Sequence, residues 1–241
     1  DDDPFNIELV KQTFPPVTTI LLPRDPAAYP LLIKTLRLFD SQNLTEEDLT
    51  RGKMYAEDKK RRDNSKSFQT YEDFLESLNL HMQIRKADEF TIPRISQLSM
   101  RTNQFNMTTK RYNEDDIKKI ITSQDYEVYG MNVKDRFGDY GLIGTCIVIK
   151  NEKEKLAQIE SFYMSCRVLG KGIENSFLWK ILEGLKKQGY ESITATTIPT
   201  AKNRAFLDFY LKAGFRQIAD NQYEYNLKDA TINFPKHIKW E

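Results

Sequence analysis

The sequence predicts an α/β fold over residues 80–228, and three observations predict it. Period-two alternation marks "HMQIRKA", "DYEVYGMNVKD" and "KLAQIESFYMS" as strands. "GIENSFLWKILEGLKKQGY" is an amphipathic helix: Phe177, Ile181 and Leu185 share a face, Leu178 and Leu182 lie beside it, and Gly189 stops it. From His81 the elements follow as β-α-α-β-β-β-α-β-α-β-β, a span of ~145 residues and ordinary for one domain.

Composition sets the outer limits. The 241 residues are 39% apolar and 29% charged, enough for a packed core and unlike a disordered chain. A net charge of +1 gives no reason to expect a nucleic-acid partner. Two cysteines without a secretory signal point to a reducing, cytoplasmic setting. No apolar run reaches the roughly 20 residues that span a bilayer, so no membrane partner is expected. The first residue is Asp, which suggests a removed N-terminus or a fragment.

The elements can be justified in order. "PPVTTILLP" (15–23) is apolar, β-branched and bounded by prolines, a strand pattern. "PAAYPLLIKTLRLF" follows with Leu31, Leu32, Leu36 and Phe39 at helical spacing. "LTEEDLT" has a capping-box pattern, Thr45 with Asp48, opening a highly charged helix to about Asn64. Leu49, Met54 and Tyr55 are its few apolar residues, so it reads as a solvated connecting helix, its acids interleaved with its bases. "SFQTYEDFLESLNL" is a second short helix. Residues 41–79 thus form a helical linker.

Beyond it, "TIPRISQLSMRTNQF" places Ile92, Ile95, Leu98 and Met100 on a helical pattern, and "NEDDIKKIITS" is a capped helix. "GLIGTCIVIK" is a strand after the turn "DRFGDYG", and "ESITATT" is another. "TAKNRAFLDFYLKAGF" is a helix running into Gly214. "FRQIAD" and "QYEYNL" form a terminal hairpin, leaving 229–241 as a tail.

The stretch most suited to chemistry is "SCRVLGKGIENSF", between a strand and the long helix. A free cysteine such as Cys166 is most often a small buried hydrophobe. Here Arg167, Lys171 and the N-terminus of the next helix place positive charge near the thiol, which suits a nucleophile. Cys146 lies inside a continuous apolar strand and reads as structural, with no disulfide to Cys166. His81 and His237 read as surface residues. Arg101, Thr102, Asn103, Gln104, Phe105 and Asn106 form a dense polar cluster whose asparagines suit caps and turns. Asp135, Arg136, Gly138 and Asp139 read first as turn chemistry. Glu160 has the strand parity of Cys166, unless a bulge breaks the count. Tyr210 suits either ring packing or proton transfer.

Two motifs in order carry a resemblance: R-x-x-G-x-G at Arg167–Gly172, then "NRAFLDFYLKAGF" on the next helix. Residues 80 to about 227 resemble the GNAT acyltransferase fold, a mixed central sheet flanked by helices. The resemblance implies that Arg167, Val168, Leu169, Gly170, Lys171, Gly172 and Ile173 bind the phosphate of coenzyme A or phosphopantetheine through backbone N–H groups. It also implies that Asn203 contributes to that site and that Tyr210 protonates a leaving thiolate.

A more specific resemblance runs nearly end to end. "DDDPFN", "YPLLIKTLRLFDSQNLTEEDLTRGKMY", "RISQLSMRTNQFNMTTKRY", "KDRFGDYGLIG" and "FYMSCRVLGKGIE" resemble the FkbH-like family, in which a HAD-like domain precedes a GNAT-like one. It implies that residues 1–40 are the end of a HAD-like domain, with Asp1 and Asp2 holding Mg²⁺ only when that domain is intact; its D-x-D and Lys motifs are absent from this chain. It implies glyceryl transfer: a three-carbon unit from the acyl phosphate 1,3-bisphosphoglycerate is dephosphorylated, held as a thioester on Cys166 and passed to the phosphopantetheine thiol of an acyl carrier protein. Glu160 and Tyr210 are candidates for acid–base work, and Arg101, Asn103, Gln104, Asn106 and Asp139 for the glyceryl or acceptor pocket. Two alternatives stay open: an acetyl-CoA-dependent N-acetyltransferase and a non-catalytic module that docks the carrier protein.

Overall fold

The computed structural model describes residues 1–38, 51–228 and 234–241, and the chain divides into two units, 1–44 and 45–241. In the first, α1 (Pro4–Thr13) starts where Asp3 accepts a hydrogen bond from the Phe5 N–H, with a proline in the first turn. The strand expected over 15–23 does not form. Pro15, Pro16 and Pro23 have no N–H to give a ladder, and the segment's bonds go instead to the chain start, as from the Leu22 N–H to the Asp1 carbonyl. A 3₁₀ turn (Pro26–Ala28) leads into α2 (Tyr29–Thr35), shorter than the apolar spacing predicted. Phe39, the Thr45–Asp48 capping pattern and Leu49 lie outside the described residues.

The second unit opens with two helices, α3 (Arg51–Ser65) and α4 (Tyr71–Leu78), the latter capped by Thr70. Then come β1 (Leu80–Lys86), α5 (Ile92–Arg101), α6 (Glu114–Thr122), β2 (Tyr126–Asp135), β3 (Gly138–Asn151) and β4 (Leu156–Met164). After these follow α7 (Ile173–Lys187), β5 (Ser192–Thr196), α8 (Phe209–Lys212), β6 (Arg216–Ala219), β7 (Gln222–Asn226) and β8 (Ile238–Trp240). Asn113 and Asp116 cap α6 reciprocally, as its sequence predicts.

Among the described residues the sheet has eight strands in the order β6-β7-β5-β4-β3-β2-β1-β8. The β4–β5 and β1–β8 pairs are parallel and the rest antiparallel, so the sheet is mixed. Helices cover both faces. On one, Phe177, Ile181 and Leu185 of α7 pack with Phe162 and Ile193; on the other, Ile95 and Leu98 of α5 and Ile117 of α6 pack with Ile147 and Tyr163. Full burial of each such side chain contributes about 1.5–3 kcal/mol.

Three readings are corrected. The expected helix through 200–215 breaks into a 3₁₀ turn (Arg204–Phe206) and the single turn of α8. The buried Asn203 amide reaches back to the Ile198 and Asn106 carbonyls there, and the Phe206 and Phe209 rings both pack edge-on against Phe105. Residues after 228 are not only a tail, because β8 covers the edge of β1. And α3 is not solvated all round: Glu57 and Arg61 are buried.

One irregularity shapes the site. Ile147 pairs with Ser161 and Val148 with Ile159, so Glu160 is an extra residue in β4, a β-bulge. The β4–β5 ladder ends at the same place, with Ile159 opposite Ala195. Beyond it, the free edge of β4 is taken by residues 105–107. The Met107 N–H donates to the Phe162 carbonyl (3.2 Å) and the Met164 N–H to the Phe105 carbonyl (3.0 Å), while Asn106 lies opposite Tyr163. The Ile198 N–H completes the insertion by donating to the Met107 carbonyl (2.7 Å).

Candidate functional site

β4 ends at Met164, and Ser165 turns the chain: its Oγ accepts from the Arg167 N–H at the head of a 3₁₀ turn, Cys166–Val168. The turn leaves Cys166 exposed and buries Val168. Cys166 lines a cavity of about 510 Å³ bounded by α3, α5 and this turn. From α5 come Arg94, Gln97, Leu98 and Arg101, at the i, i+3, i+4, i+7 spacing of one helix face. Asn103 and Gln104 follow, and α3 adds Met54, whose sulfur meets an Arg167 guanidinium nitrogen. Arg94 is oriented by Nε, which donates to the Leu142 carbonyl (3.0 Å), and by a contact with Gln97. The thiol thus shares a cavity with three guanidiniums and the side-chain amides of Asn103 and Gln104.

A second cavity, about 630 Å³, lies between α3 and α4 and shares Tyr55, Asp58 and Arg167 with the first. Arg62, Tyr71 and Lys171 line it. Burial pushes the Lys171 ammonium below its usual range, and the charge of Arg61 pushes it the same way.

Helix α3 makes both cavities, and buried ions hold it. Arg61 meets Asp135 through two bonds, Nε to Oδ2 (2.7 Å) and Nη2 to Oδ1 (2.9 Å), and adds Asp58 (2.7 Å). Its guanidinium lies 4.0 Å over the Tyr140 ring. The Asp135 carboxylate is fully buried and also accepts from the Phe137 and Gly138 N–H groups and the Tyr140 hydroxyl. Burial by itself would lower the Arg61 pKa; the Asp135 bond and charge outweigh it and hold the side chain charged. The approach is close: a Cβ on Gly138 would stand 2.2 Å from the Glu57 carboxylate.

The loop before α7 has two left-handed glycines, Gly170 (φ +79°) and Gly172 (φ +76°). Three of its backbone groups are already engaged. The Gly170 N–H donates to Glu174 Oε1 (3.1 Å), Tyr71 donates to the Gly170 carbonyl (3.1 Å), and a ring nitrogen of His237 meets the Lys171 carbonyl (3.0 Å). Burial raises the Glu174 pKa, against the backbone N–H groups that favour its charge, and its Oε2 is buried without a partner. Coenzyme A or phosphopantetheine laid along β4 with its phosphate on this loop would have to displace contacts present here. Glu174 sits on the N–H, and residues 105–107 already pair with the strand edge.

The other sequence-predicted residues are placed as follows. Cys166, Arg167, Arg101, Asn103 and Gln104 come together in the first cavity, and Lys171 lines the second. Leu169 is partly buried and Ile173 fully buried, both against the core. Tyr210 is fully buried among Phe209, Phe215 and Tyr223. Its hydroxyl has no partner, and burial drives its pKa far up. Glu160, displaced by the bulge from strand parity with Cys166, pairs with Lys110. Asn106 and Asn203 are buried and bonded to backbone carbonyls. Asp139 accepts from the Gly141 N–H at the start of β3. His81 lies beside the Glu241 carboxylate (3.0 Å). Asp1 accepts from the Asp3 N–H, and among the described residues no group of three or more His, Cys, Asp or Glu could hold a metal ion. Both cysteines are free, and burial raises the pKa of Cys146 well up. No described helix is long and apolar enough to cross a membrane.

Sequence reasoning missed Arg94, Gln97 and Arg62. Arg94, Gln97 and Arg101 were legible as one polar stripe in "RISQLSMR"; Arg62 carried no signal within a run of charges.

No protein-family model matches the chain, and no curated protein sequence matches it. In fold it is similar to the ribosomal-protein-S18-alanine N-acetyltransferase of Escherichia coli: TM-score 0.48, 13% identity, 64% of this chain and 99% of that one. It is similar to the spermidine/spermine N-acetyltransferase SpeG of Vibrio cholerae in complex with manganese ions: TM-score 0.46, 15% identity, 64% and 95%. A GNAT-family acetyltransferase of Staphylococcus aureus Mu50 gives TM-score 0.47 at 14% identity, covering 61% and 99%.

Proposed function

We propose that this chain is an acyltransferase with a GNAT-like fold, in which Cys166 carries the acyl group. One observation supports this above all: the exposed thiol opens into a cavity with the guanidiniums of Arg94, Arg101 and Arg167 and the amides of Asn103 and Gln104. In this reading the Cys166 thiolate attacks the carbonyl carbon of an acyl phosphate. The C–S bond forms, the C–O bond to phosphate breaks, and phosphate leaves with the electron pair. An acceptor thiolate then attacks the thioester and expels the Cys166 thiolate, an exchange that is nearly isoenergetic. Guanidiniums offset charge on the phosphate and on the tetrahedral oxyanion. The amides suit the hydroxyls of a glyceryl unit, which the FkbH-like resemblance puts forward, with the phosphopantetheine thiol of an acyl carrier protein as acceptor.

The test is intact-protein mass spectrometry with 1,3-bisphosphoglycerate and a HAD-like partner domain supplied. A mass gain on Cys166 is expected, lost in Cys166→Ser and kept in Cys146→Ser. Unchanged loading of Cys166→Ser would overturn the covalent role, and carrier-protein binding without any loading would make the chain a docking module.

A second reading, an acetyl-CoA-dependent N-acetyltransferase, is favoured by the left-handed glycines directly before the 15-residue helix α7. It requires Glu174 and residues 105–107 to give way. Acetyl-CoA turnover on amines that survives Cys166→Ala would establish it.

A further inference from the structure

The backbone loop before α7 is the obvious anion cradle, but its Gly170 N–H is occupied by the Glu174 carboxylate. A bound phosphate would have to displace that anion or lie beside it. The adjoining cavity between α3 and α4 offers the opposite. Arg62, Arg167 and Lys171 line it, and none of them has a carboxylate within ion-pair distance among the described residues. Arg61, on the same wall, is already committed to Asp135 and Asp58. Of the acidic groups among the described residues, only Asp58 lines this cavity, and it is held by Arg61. Lys171 is kept in place by a bond from its ammonium to the Arg167 carbonyl (2.8 Å); the charge of Arg61 disfavours its charged form, and the charges of Asp58, Asp135 and Glu174 favour it. The cavity also carries the hydroxyls of Ser65, Thr70 and Tyr71. It adjoins the Cys166 cavity through Tyr55, Asp58 and Arg167.

We propose that the α3–α4 cavity is a phosphate-ester site. Arg62, Arg167 and Lys171 hold the phosphate through their side chains, and the rest of the ligand passes the shared wall toward Cys166. Three cationic side chains lining one cavity suit a phosphate dianion, with Arg167 turning from its present partners Ser165 and Met54 to reach it. The direction of the ligand rests on the acyl-transfer reading; the phosphate site itself does not. Two sources share this chemistry, a small phosphorylated acid and a phosphopantetheine arm.

The experiment measures iodoacetamide alkylation of Cys166 in the full chain by mass spectrometry, with buried Cys146 as the internal reference. The probes are 3-phosphoglycerate against glycerate, and 4′-phosphopantetheine against pantetheine. The phosphorylated member of at least one pair should protect Cys166 at about tenfold lower concentration or better, and that pair identifies the source. Arg62→Gln and Lys171→Gln should each weaken that protection by about tenfold. Arg62→Glu, at an exposed position and checked by its melting temperature, should abolish it. A phosphate preference that survives both Arg62 variants overturns the proposal. Equal protection by both members of each pair, or none, also overturns it. Acyl loading is read separately: loading without phosphate preference sinks this site alone, and phosphate preference without loading sinks the acyl-transfer reading alone.

Discussion

Tyr210 illustrates how much a side chain's surroundings decide its chemistry. Its hydroxyl is buried without a partner among rings, and burial holds it protonated far beyond the usual range. A buried hydroxyl that lines neither cavity is poorly placed to give a proton to a thiolate, so Tyr210→Phe should change turnover by less than about threefold. A loss of about one hundredfold would return a catalytic role to it. Stability should hold or rise by up to about 1 kcal/mol, since the variant removes an unsatisfied polar atom; thermal melts would show it. The two cysteines were separable in the sequence because their settings differ locally, one inside an apolar strand and one at a strand end. The fate of Glu174 was not legible. Its position in the first turn of α7 is common helix chemistry, and only the folded loop brings its carboxylate onto Gly170.

At the scale of elements, α3 is the instructive case. Its sequence has almost no apolar stripe, so periodicity made it solvated. It is attached by an ion network, and charge pairing leaves no periodic trace when the partner sits on a distant strand turn. Asp135→Asn should therefore cost roughly 3 kcal/mol, because it leaves a buried guanidinium without its counter-ion; a urea titration measures it. The same variant should widen access to Cys166, read as faster alkylation. The strands from β1 to β5 were legible because each is long enough to show alternation or a continuous apolar run. The insertion of residues 105–107 was not, since its partner lies more than fifty residues away and its own side chains look like a loop.

The β2 carboxylate of Glu127 gives the element scale a pH dependence. Burial alone would raise its pKa; the bonds from Lys86 and Tyr129 and the charge of Lys150 bring it below its ordinary 4.5. A folded-state pKa below the unfolded one contributes stability that is complete above about 4.5 and is lost as pH falls through the folded value. The urea midpoint should thus drop between about pH 5 and pH 3, and Glu127→Gln should flatten that drop. A slope unchanged by the substitution would remove Glu127 from the account.

Over the whole molecule, the order of strands follows from ordinary connections except at one end. β6 and β7 form the expected hairpin, and α7 makes the crossover between the parallel strands β4 and β5. The last strand, β8, returns across the chain to lie beside β1, where Ile238 is buried against Leu80. Three residues carry too little pattern for that pairing to be read from sequence. Removing residues 234–241 should bare the N–H and C=O row of β1 and produce concentration-dependent oligomers in sedimentation velocity; a monomeric truncation would refute this.

That closing pair also has a consequence in time. His81 on β1 and Glu241 just beyond β8 meet across 160 residues of sequence. A nascent chain leaving the ribosome therefore carries β1 with one flank bare for as long as it takes to make everything between, roughly 10–30 s at typical elongation rates of about 5–20 residues per second. During that interval the antiparallel partner β2 can already pair, but the outer flank is open to any other extended segment. Translation speed over this span is then a determinant of yield in its own right, separate from the stability of the finished protein.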